Sequence, residues 1–436
     1  MPWVFDNKVC YLFRSNVFRP TFLTFMNSVI VNPPTQPIRT EIRLASSKSE
    51  SNRALIINAL TQFKGQLENI SSARDTQTMM RLLQSSDVVA DVLDAGTTMR
   101  FLTAYFAVTN QHKTMTGTPR MCERPIGILV DALRILGANI TYKQNEGYPP
   151  TELNGFQYSG QNHLTIRGDV SSQYISALLM IGPMLPDGIT LELTGEIGSR
   201  PYIEMTLQQM RAFGVTHEAN WAAKTIRVPA QHYTPTHYAI ESDWSGASYW
   251  YSLVALAKDA EIELLGLKEN SLQGDSAIVK IMEHMGVKSV FTKHGVLLTK
   301  IPAEKAFAWD FTDCPDLAQT VAACAAVAGI EVTMTGIESL KIKETDRVGA
   351  LQAELPKIGG ELVELEQNTK YIVRRKAEMP DTPSSTPIIE TYDDHRMAMA
   401  FAPVGMVFPI EISEPHVVAK SYPSFWDDLK KVTTIA

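Results

Sequence analysis

Four cysteines in 436 residues, none in a C-x-x-C pair, offer no basis for a disulfide framework or a thiolate metal cluster. The nine histidines show no H-E-x-x-H or comparably dense spacing. Reduced thiols, a cytosolic compartment and no metal are the expectation. No apolar run approaches the roughly 20 residues of a membrane span, which sets the membrane aside. Basic excess is missing as well: 40 Lys and Arg face 47 Asp and Glu, a formal charge of −7. That excludes general polyanion binding, whose affinity rests on surplus Lys and Arg. Neither a G-x-x-x-x-G-K-[ST] loop nor a G-x-G-x-x-G run occurs, so no nucleotide fold supplies phosphate binding.

What is present is an ordinary globular composition, 44% hydrophobic, long enough for two or three domains that need no covalent staples. Residues 1–27 are aromatic-rich and lack the apolar stretch and small-residue cleavage site of a signal peptide. They read as an extension outside the fold, with Met26 as the expected start. Six strongly apolar helical segments follow, over Arg53–Leu60, Met99–Val108, Gln173–Met184, Tyr249–Ala257, Leu317–Ala328 and Met397–Val407. Each is apolar nearly all round, as helices buried inside a domain are. A second helix type ends in an apolar residue followed by Gly137, Gly214, Gly286 or Gly359, and glycine suits the left-handed position just past a helix.

Both markers recur at intervals of about 74 residues, which signals an internal repeat. The interval from Ser51 to Thr97 is far shorter, so one unit is cut down between Leu83 and Asp94. Short β-rich runs such as Leu164–Arg167 and Val296–Thr299 lie between the helices. The expected fold class is therefore α/β, six units of two helices and several strands, divided as two domains of three. If the buried helices run parallel, their N-termini converge and form an anion-binding region from unpaired N–H groups and aligned dipoles.

Basic residues stand beside these helix starts: Lys48, Arg53, Arg120, Arg124, Lys343, Arg347, Arg396 and Lys420. Any one alone would be an ordinary surface ion pair contributing about 0–1 kcal/mol. Together, in an acidic protein, they favour a substrate carrying phosphate or carboxylate. Asp316 alone reads equally well as a helix cap, and His395 as an orienting residue.

Eight stretches in order carry a closer likeness: Ser47-Lys48-Ser49 with Ser51-Asn52-Arg53, Ala95-Gly96-Thr97-Thr98-Met99-Arg100, Pro119-Arg120-Met121-Cys122-Glu123-Arg124-Pro125, Ser171-Ser172-Gln173, Ser199-Arg200-Pro201-Tyr202, Lys343-Glu344-Thr345-Asp346-Arg347, Asp394-His395-Arg396-Met397-Ala398-Met399 and Ala419-Lys420-Ser421. From about Ile38 to Leu429 the chain resembles the 5-enolpyruvylshikimate-3-phosphate synthase family of enolpyruvyl transferases. The resemblance implies two domains of three βαβαββ units, closing over substrate in the cleft between them. Crossovers near Arg43–Ser46 and Ile240–Asp243 would make one domain from 28–45 plus 242–436 and the other from 46–241. It also implies transfer of the enolpyruvyl group of phosphoenolpyruvate to the 5-hydroxyl of shikimate 3-phosphate, with release of phosphate, in chorismate and aromatic amino-acid biosynthesis. Neither a metal nor an organic cofactor is implied. The implied partners are these two small molecules, with no nucleic acid and no membrane, and a cytoplasmic monomer is the expectation.

Position by position, the resemblance implies three catalytic residues: Asp316 as the base at the 5-hydroxyl, Glu344 as the acid for the enol carbon, and Lys48 as a bridging cation and proton shuttle that also touches both substrates. Ser49, Arg53, Ser171, Ser172, Gln173, Ser199, Ser339 and Lys343, with Asp316, would hold shikimate 3-phosphate. Gly96, Arg120, Gln173, Arg347, Arg396 and Lys420 would hold phosphoenolpyruvate, with Tyr202 and Arg124 in support. The chain departs from the commonest family pattern at Ser46, Asp94, Phe101 and Ser339. Asp94 adds negative charge near an anionic pocket and must be paired or turned away. The sister transferase acting on UDP-N-acetylglucosamine carries a reactive Cys five residues before an Arg-Pro. Here Pro119 holds that place, and Cys122 does not. An RNA-end cyclase built from related units would need a basic track that this chain lacks.

Overall fold

A computed structural model describes residues 27–376 and 383–436. The proposed start at Met26 and residues 1–26 of the N-terminal extension lie outside the described residues. Residue 27 belongs to the fold, since the Asn27 carbonyl accepts the Glu414 N–H at 2.9 Å.

The sheets repeat one pattern. Strands Val89–Asp91, His112–Thr116, Thr151–Phe156 and Ala138–Tyr142 lie side by side in that order, the first pair parallel and the others antiparallel. The same order and senses recur for His163–Arg167, Ile189–Thr194, Thr225–Val228 and Glu218–Asn220. They recur again for Ile38–Arg43, Ala260–Leu265, Gly295–Lys300 and Val287–Phe291, and for Ala306–Asp310, Glu331–Thr335, Lys370–Arg375 and Gly360–Glu366. A helix leads into the second strand of each of these parallel pairs, and between Ile38–Arg43 and Ala260–Leu265 the chain first makes the whole of segment 46–241.

Two units depart from the pattern. Ile388–Ile389 pairs with Ile410–Ser413, whose other edge takes Ser28–Val31 from the front of the chain. Among the described residues Gln66–Glu68 pairs only with His237–Ala239. Its unit has no hairpin, because the helix Arg74–Gln84 leads straight into Val89–Asp91. This is the cut-down unit, in the place the short interval indicates.

The six buried helices span Lys48–Leu60, Gly96–Val108, Ser172–Ile181, Trp244–Leu256, Ala318–Ala328 and His395–Phe401. Most start earlier than the apolar pattern suggests, because polar opening residues belong to the first turn or cap it. Ser47 accepts from the Glu50 N–H, Ser171 from Gln173, Asp243 from Gly246 and Asp394 from Arg396. The third and sixth helices tighten into 3₁₀ turns at Gly182–Met184 and Ala402–Met406, where Pro183 and Pro403 have no N–H to continue the α ladder. Gly137, Gly214, Gly286 and Gly359 all have positive φ, from 83° to 114°, as their place after a helix demands.

Two separate hydrophobic cores result. One joins Val29–Leu44 to Trp244–Val432 around Trp244, Trp250, Phe311 and Trp426. The other runs from Leu55 to Tyr233 around Phe101, Phe106 and Phe213. The chain passes between them twice, side by side: Ser46 bridges Ser242, the Ser47 N–H donates to the Glu241 carbonyl at 2.9 Å and the Asp243 N–H to Ala45 at 2.8 Å.

Candidate active site

The site grows from helix starts. Asp394 caps the helix His395–Phe401 and uses the same carboxylate to grip Arg347, with Nε at 2.7 Å and Nη2 at 3.2 Å. Arg347 begins the helix Arg347–Glu354 and is 1% exposed. Its remaining donors reach Asp316 Oδ1 and Glu344 Oε2, both at 3.0 Å. One buried guanidinium thus spans the two carboxylates that the family resemblance assigns to base and acid. Arg396 Nη2 lies 2.9 Å from Asp316 Oδ2, and Lys343 Nζ lies 3.5 Å from Oδ1. Burial would raise the Asp316 pKa, but Arg396, Lys343 and Arg347 outweigh it and hold the carboxyl well below its usual range.

Glu344 faces both cores. Besides Arg347, Arg124 Nη1 stands 3.7 Å and Lys420 Nζ 3.8 Å from Oε1. Burial again opposes ionisation, and Arg124, Arg347 and Lys420 overcome it, so this carboxyl is also held well below its ordinary value. Lys420 comes from the core that contains Trp244, yet it bonds Asp94 Oδ2 at 2.8 Å and Asp75 Oδ1 at 3.3 Å on the other. Asp94 is therefore paired, to Lys420 and to Arg74 at 2.9 Å. Asp75 also takes Lys48 Nζ at 3.0 Å, so one buried acid aligns two lysines.

On the other core, Gln173 Nε2 reaches Thr97 Oγ1 at 3.1 Å, joining the starts of two buried helices. The helix Gly96–Val108 has no side-chain cap, so its first N–H groups are free of one. A Cβ on Gly96 would sit 2.9 Å from both terminal nitrogens of Arg124. Arg53 is buried with Thr206 Oγ1, the Ser49 carbonyl and Ser176 Oγ as partners, and none of these hydrogen bonds goes to a carboxylate. Burial lowers its pKa to about 10. Ser199 holds a left-handed backbone, φ 53°, and its N–H crosses to the Thr312 carbonyl. Ser172 is buried, whereas Ser171 is exposed and caps its helix.

Two expected residues stand apart. Arg120 turns outward, its side chain 47% exposed, and donates to Glu123 and to the carbonyls of Glu344 and Lys343. Arg124, expected only in support, is the one against Gly96 and Glu344. The two cations are four residues apart on one loop, and sequence alone does not say which turns in. Ser339 is exposed, with no hydrogen bond to the cluster. His395, expected to orient a neighbour, is buried without a hydrogen-bond partner at either ring nitrogen among the described residues. Burial, with Lys48 and Arg396 nearby, keeps it neutral.

Sequence reasoning missed Asp75 and Asp275. Asp75 carried a signal: it falls with Thr78, Met79 and Leu82 on the buried face of the amphipathic helix Arg74–Gln84, where an unpaired charge is costly. Asp275 follows Gly274 in a short turn with no periodicity to place it. A cavity of about 980 Å³ opens between the helix Arg200–Ala212 and the turn Gly274–Ala277, away from this charge cluster. Cys122, Cys314 and Cys324 are free thiols. Among the described residues no helix is long and apolar enough to cross a membrane.

Comparison with known proteins places the chain in a family. The sequence profile of EPSP synthase (3-phosphoshikimate 1-carboxyvinyltransferase) matches residues 33–88 and 83–429. A 3-phosphoshikimate 1-carboxyvinyltransferase of Bacteroides fragilis is 48% identical over 405 residues, covering 92% of this chain and 97% of that protein. The protein of that name from Neisseria gonorrhoeae is 35% identical over 424 residues, covering 91% and 96%. A solved EPSP synthase from Acinetobacter baumannii shares the two-domain fold, with a TM-score of 0.73 at 19% identity over 94% of this chain and 99% of that one. The Arg347-bridged carboxylates, the cations around them and these matches have one common explanation: the chain belongs to the EPSP synthase (3-phosphoshikimate 1-carboxyvinyltransferase) family.

Proposed function

We propose that this protein transfers the enolpyruvyl group of phosphoenolpyruvate to the 5-hydroxyl of shikimate 3-phosphate. The observation that carries the reading is Arg347, which holds Asp316 and Glu344 on either side of one buried guanidinium while cations of both cores close around Glu344. The reaction needs the enol carbon C3 protonated so that C2 becomes electrophilic. The attacking hydroxyl must lose its proton, and C3 must lose one again as phosphate departs. Asp316, kept ionised by three cations, suits the hydroxyl proton. Glu344 suits C3, provided it can hold a proton. Arg124, Arg347 and Lys420, which now suppress that proton, are the groups that the carboxylate and phosphate of phosphoenolpyruvate would neutralise. Substrate binding itself therefore raises the Glu344 pKa towards that of a working acid.

In this reading Arg124, Arg347, Arg396, Lys420, Lys48, Gly96 and Gln173 receive phosphoenolpyruvate, and Arg124 takes the place expected of Arg120. Arg53, Ser49, Ser171, Ser172, Gln173, Ser199 and Lys343 receive shikimate 3-phosphate. Arg53 supplies a buried cation whose hydrogen bonds leave it free to meet a carboxylate. Two domains, 28–45 with 242–436 and 46–241, close over both substrates, and the chain works as a cytoplasmic monomer. Phosphate release from phosphoenolpyruvate, measured with a chelator present and with shikimate 3-phosphate or UDP-N-acetylglucosamine as acceptor, tests the assignment. Release with shikimate 3-phosphate alone is expected. Release with the nucleotide sugar, or with neither acceptor from folded protein, would overturn it.

A further inference from the structure

Asp275 is 1% exposed and has no salt-bridge partner among the described residues. Its carboxylate instead takes two hydroxyls, Tyr202 OH on Oδ1 at 3.1 Å and Ser245 Oγ on Oδ2 in a short bond. Tyr202 lies in the helix Arg200–Ala212 of the other core, so the first bond exists only while the cores are together. Ser245 lies in the first turn of the helix Trp244–Leu256, and its oxygen receives Arg396 Nη2 at 3.3 Å. The same Nη2 donates to Asp316 Oδ2 at 2.9 Å. Because the Ser245 proton is committed to Asp275, the Ser245 oxygen can only accept from Arg396, and the direction of the whole chain is set.

In the proposed reading Gln173, Lys48 and the other expected ligands receive substrate, whereas Asp275 is engaged with Tyr202 and Ser245. We propose that Asp275 is a positioning residue that couples closure of the two cores to the orientation of Arg396. Joining Tyr202 to Asp275 on closure fixes the carboxylate, the carboxylate fixes the Ser245 hydroxyl, and that hydroxyl presents a lone pair to the guanidinium. Burial and the neighbouring Asp316 charge raise the Asp275 pKa, while Arg396 and the two hydroxyl donors oppose the rise. The turn that carries Asp275 is itself braced. The preceding Gln273 accepts from the Trp244 N–H at 3.0 Å and donates to the Ser242 carbonyl at 2.8 Å, tying the turn to the crossover.

The inference rests on the reading of Arg396 as a phosphoenolpyruvate ligand, and the test separates the two. An amide here would still accept from Ser245 through its oxygen and donate through its NH₂ group to the Tyr202 oxygen, so the variant that breaks both links is Asp275→Ala rather than Asp275→Asn. Ser245→Ala removes the next link. Steady-state kinetics of both variants should show KM for phosphoenolpyruvate raised about ten- to hundredfold, the scale of a lost hydrogen bond to a charged group, with kcat within about threefold of wild type. The double variant should be no worse than the worse single one, since both act along one path. Costs that add in the double variant, an unchanged KM, or an equal loss for both substrates with a lowered Tm would each overturn the proposal. Wild-type protein without phosphate release would instead overturn the functional reading.

Discussion

Gly96 shows how one missing side chain shapes the site. An added Cβ meets Arg124 at 2.9 Å and Arg100 Nη1 at 3.0 Å, closer than van der Waals contact allows. Arg100 cannot yield easily, because it is pinned to the Pro125 carbonyl at 2.7 Å and the Gly96 carbonyl at 3.1 Å. Gly96→Ala should therefore displace Arg124 and raise KM for phosphoenolpyruvate, with a smaller change for shikimate 3-phosphate. An unchanged KM would show that Arg124 moves aside freely. Glu344→Gln keeps the shape and removes the proton donor. Binding of both substrates should persist while kcat falls at least ~100-fold, and single-turnover measurements with wild-type rates would remove Glu344 from the chemistry. Asp243 offers a test by pH. Burial pushes its pKa up to about 6, against the pull of Arg396, so the folded state binds this proton more readily than the unfolded one. Its ionisation weakens the fold above about pH 6, and the penalty fades as pH falls towards 4. Asp243→Asn keeps the helix cap. Urea midpoints should show it gaining up to about 3 kcal/mol on wild type at pH 7.5 and almost nothing near pH 4.

At the scale of elements, Asp394 has two roles, capping one helix and neutralising the first residue of another. Asp394→Ala should cost about 3 kcal/mol or more in urea denaturation, because it strips a buried guanidinium of its bidentate partner. Asp394→Asn restores the cap and should recover about 1 kcal/mol of that loss. A common loss for both variants would mean that the cap contributes nothing here. The helices and the repeat were legible because burial on every side leaves an unbroken apolar run, and because Gly137, Gly214, Gly286 and Gly359, all at positive φ, mark the ends of four second helices. Gly137 and Gly359 needed no tertiary information. The true helix starts were less visible, since Lys48-Ser49-Glu50 is polar yet lies inside the first helix. Which cation turns inward was not legible at all. Arg120 and Arg124 have the same chemistry, and their difference comes from packing against Gly96 and Glu344, two segments far away in sequence. Asp75 was visible in principle, as a charge on an apolar face, but its partners Lys48 and Lys420 come from opposite ends of the chain.

For the whole molecule, the contacts between the cores include a set of polar pairs: Lys420 with Asp75 and Asp94, Arg124 with Glu344, Arg120 with two carbonyls, Ser199 with Thr312, Arg200 with Asp313 and Tyr202 with Asp275. An interface of that kind lets two domains part, and the proposed ligands draw on both sides. The radius of gyration from small-angle scattering should fall when shikimate 3-phosphate is added. An equal radius with and without it would mean that the cores rest together unaided. The pairing of Ser28–Val31 with Ile410–Ser413 reaches beyond the finished enzyme. One of the first strands to leave the ribosome finds its neighbour only when nearly all the chain has been made, roughly 20–80 s later at about 5–20 residues per second. The segment between the crossovers has its whole core in hand long before that. The nascent protein therefore carries a finished half beside an unpaired strand, and the four-residue length of that strand limits what a neighbouring chain could grasp in the meantime.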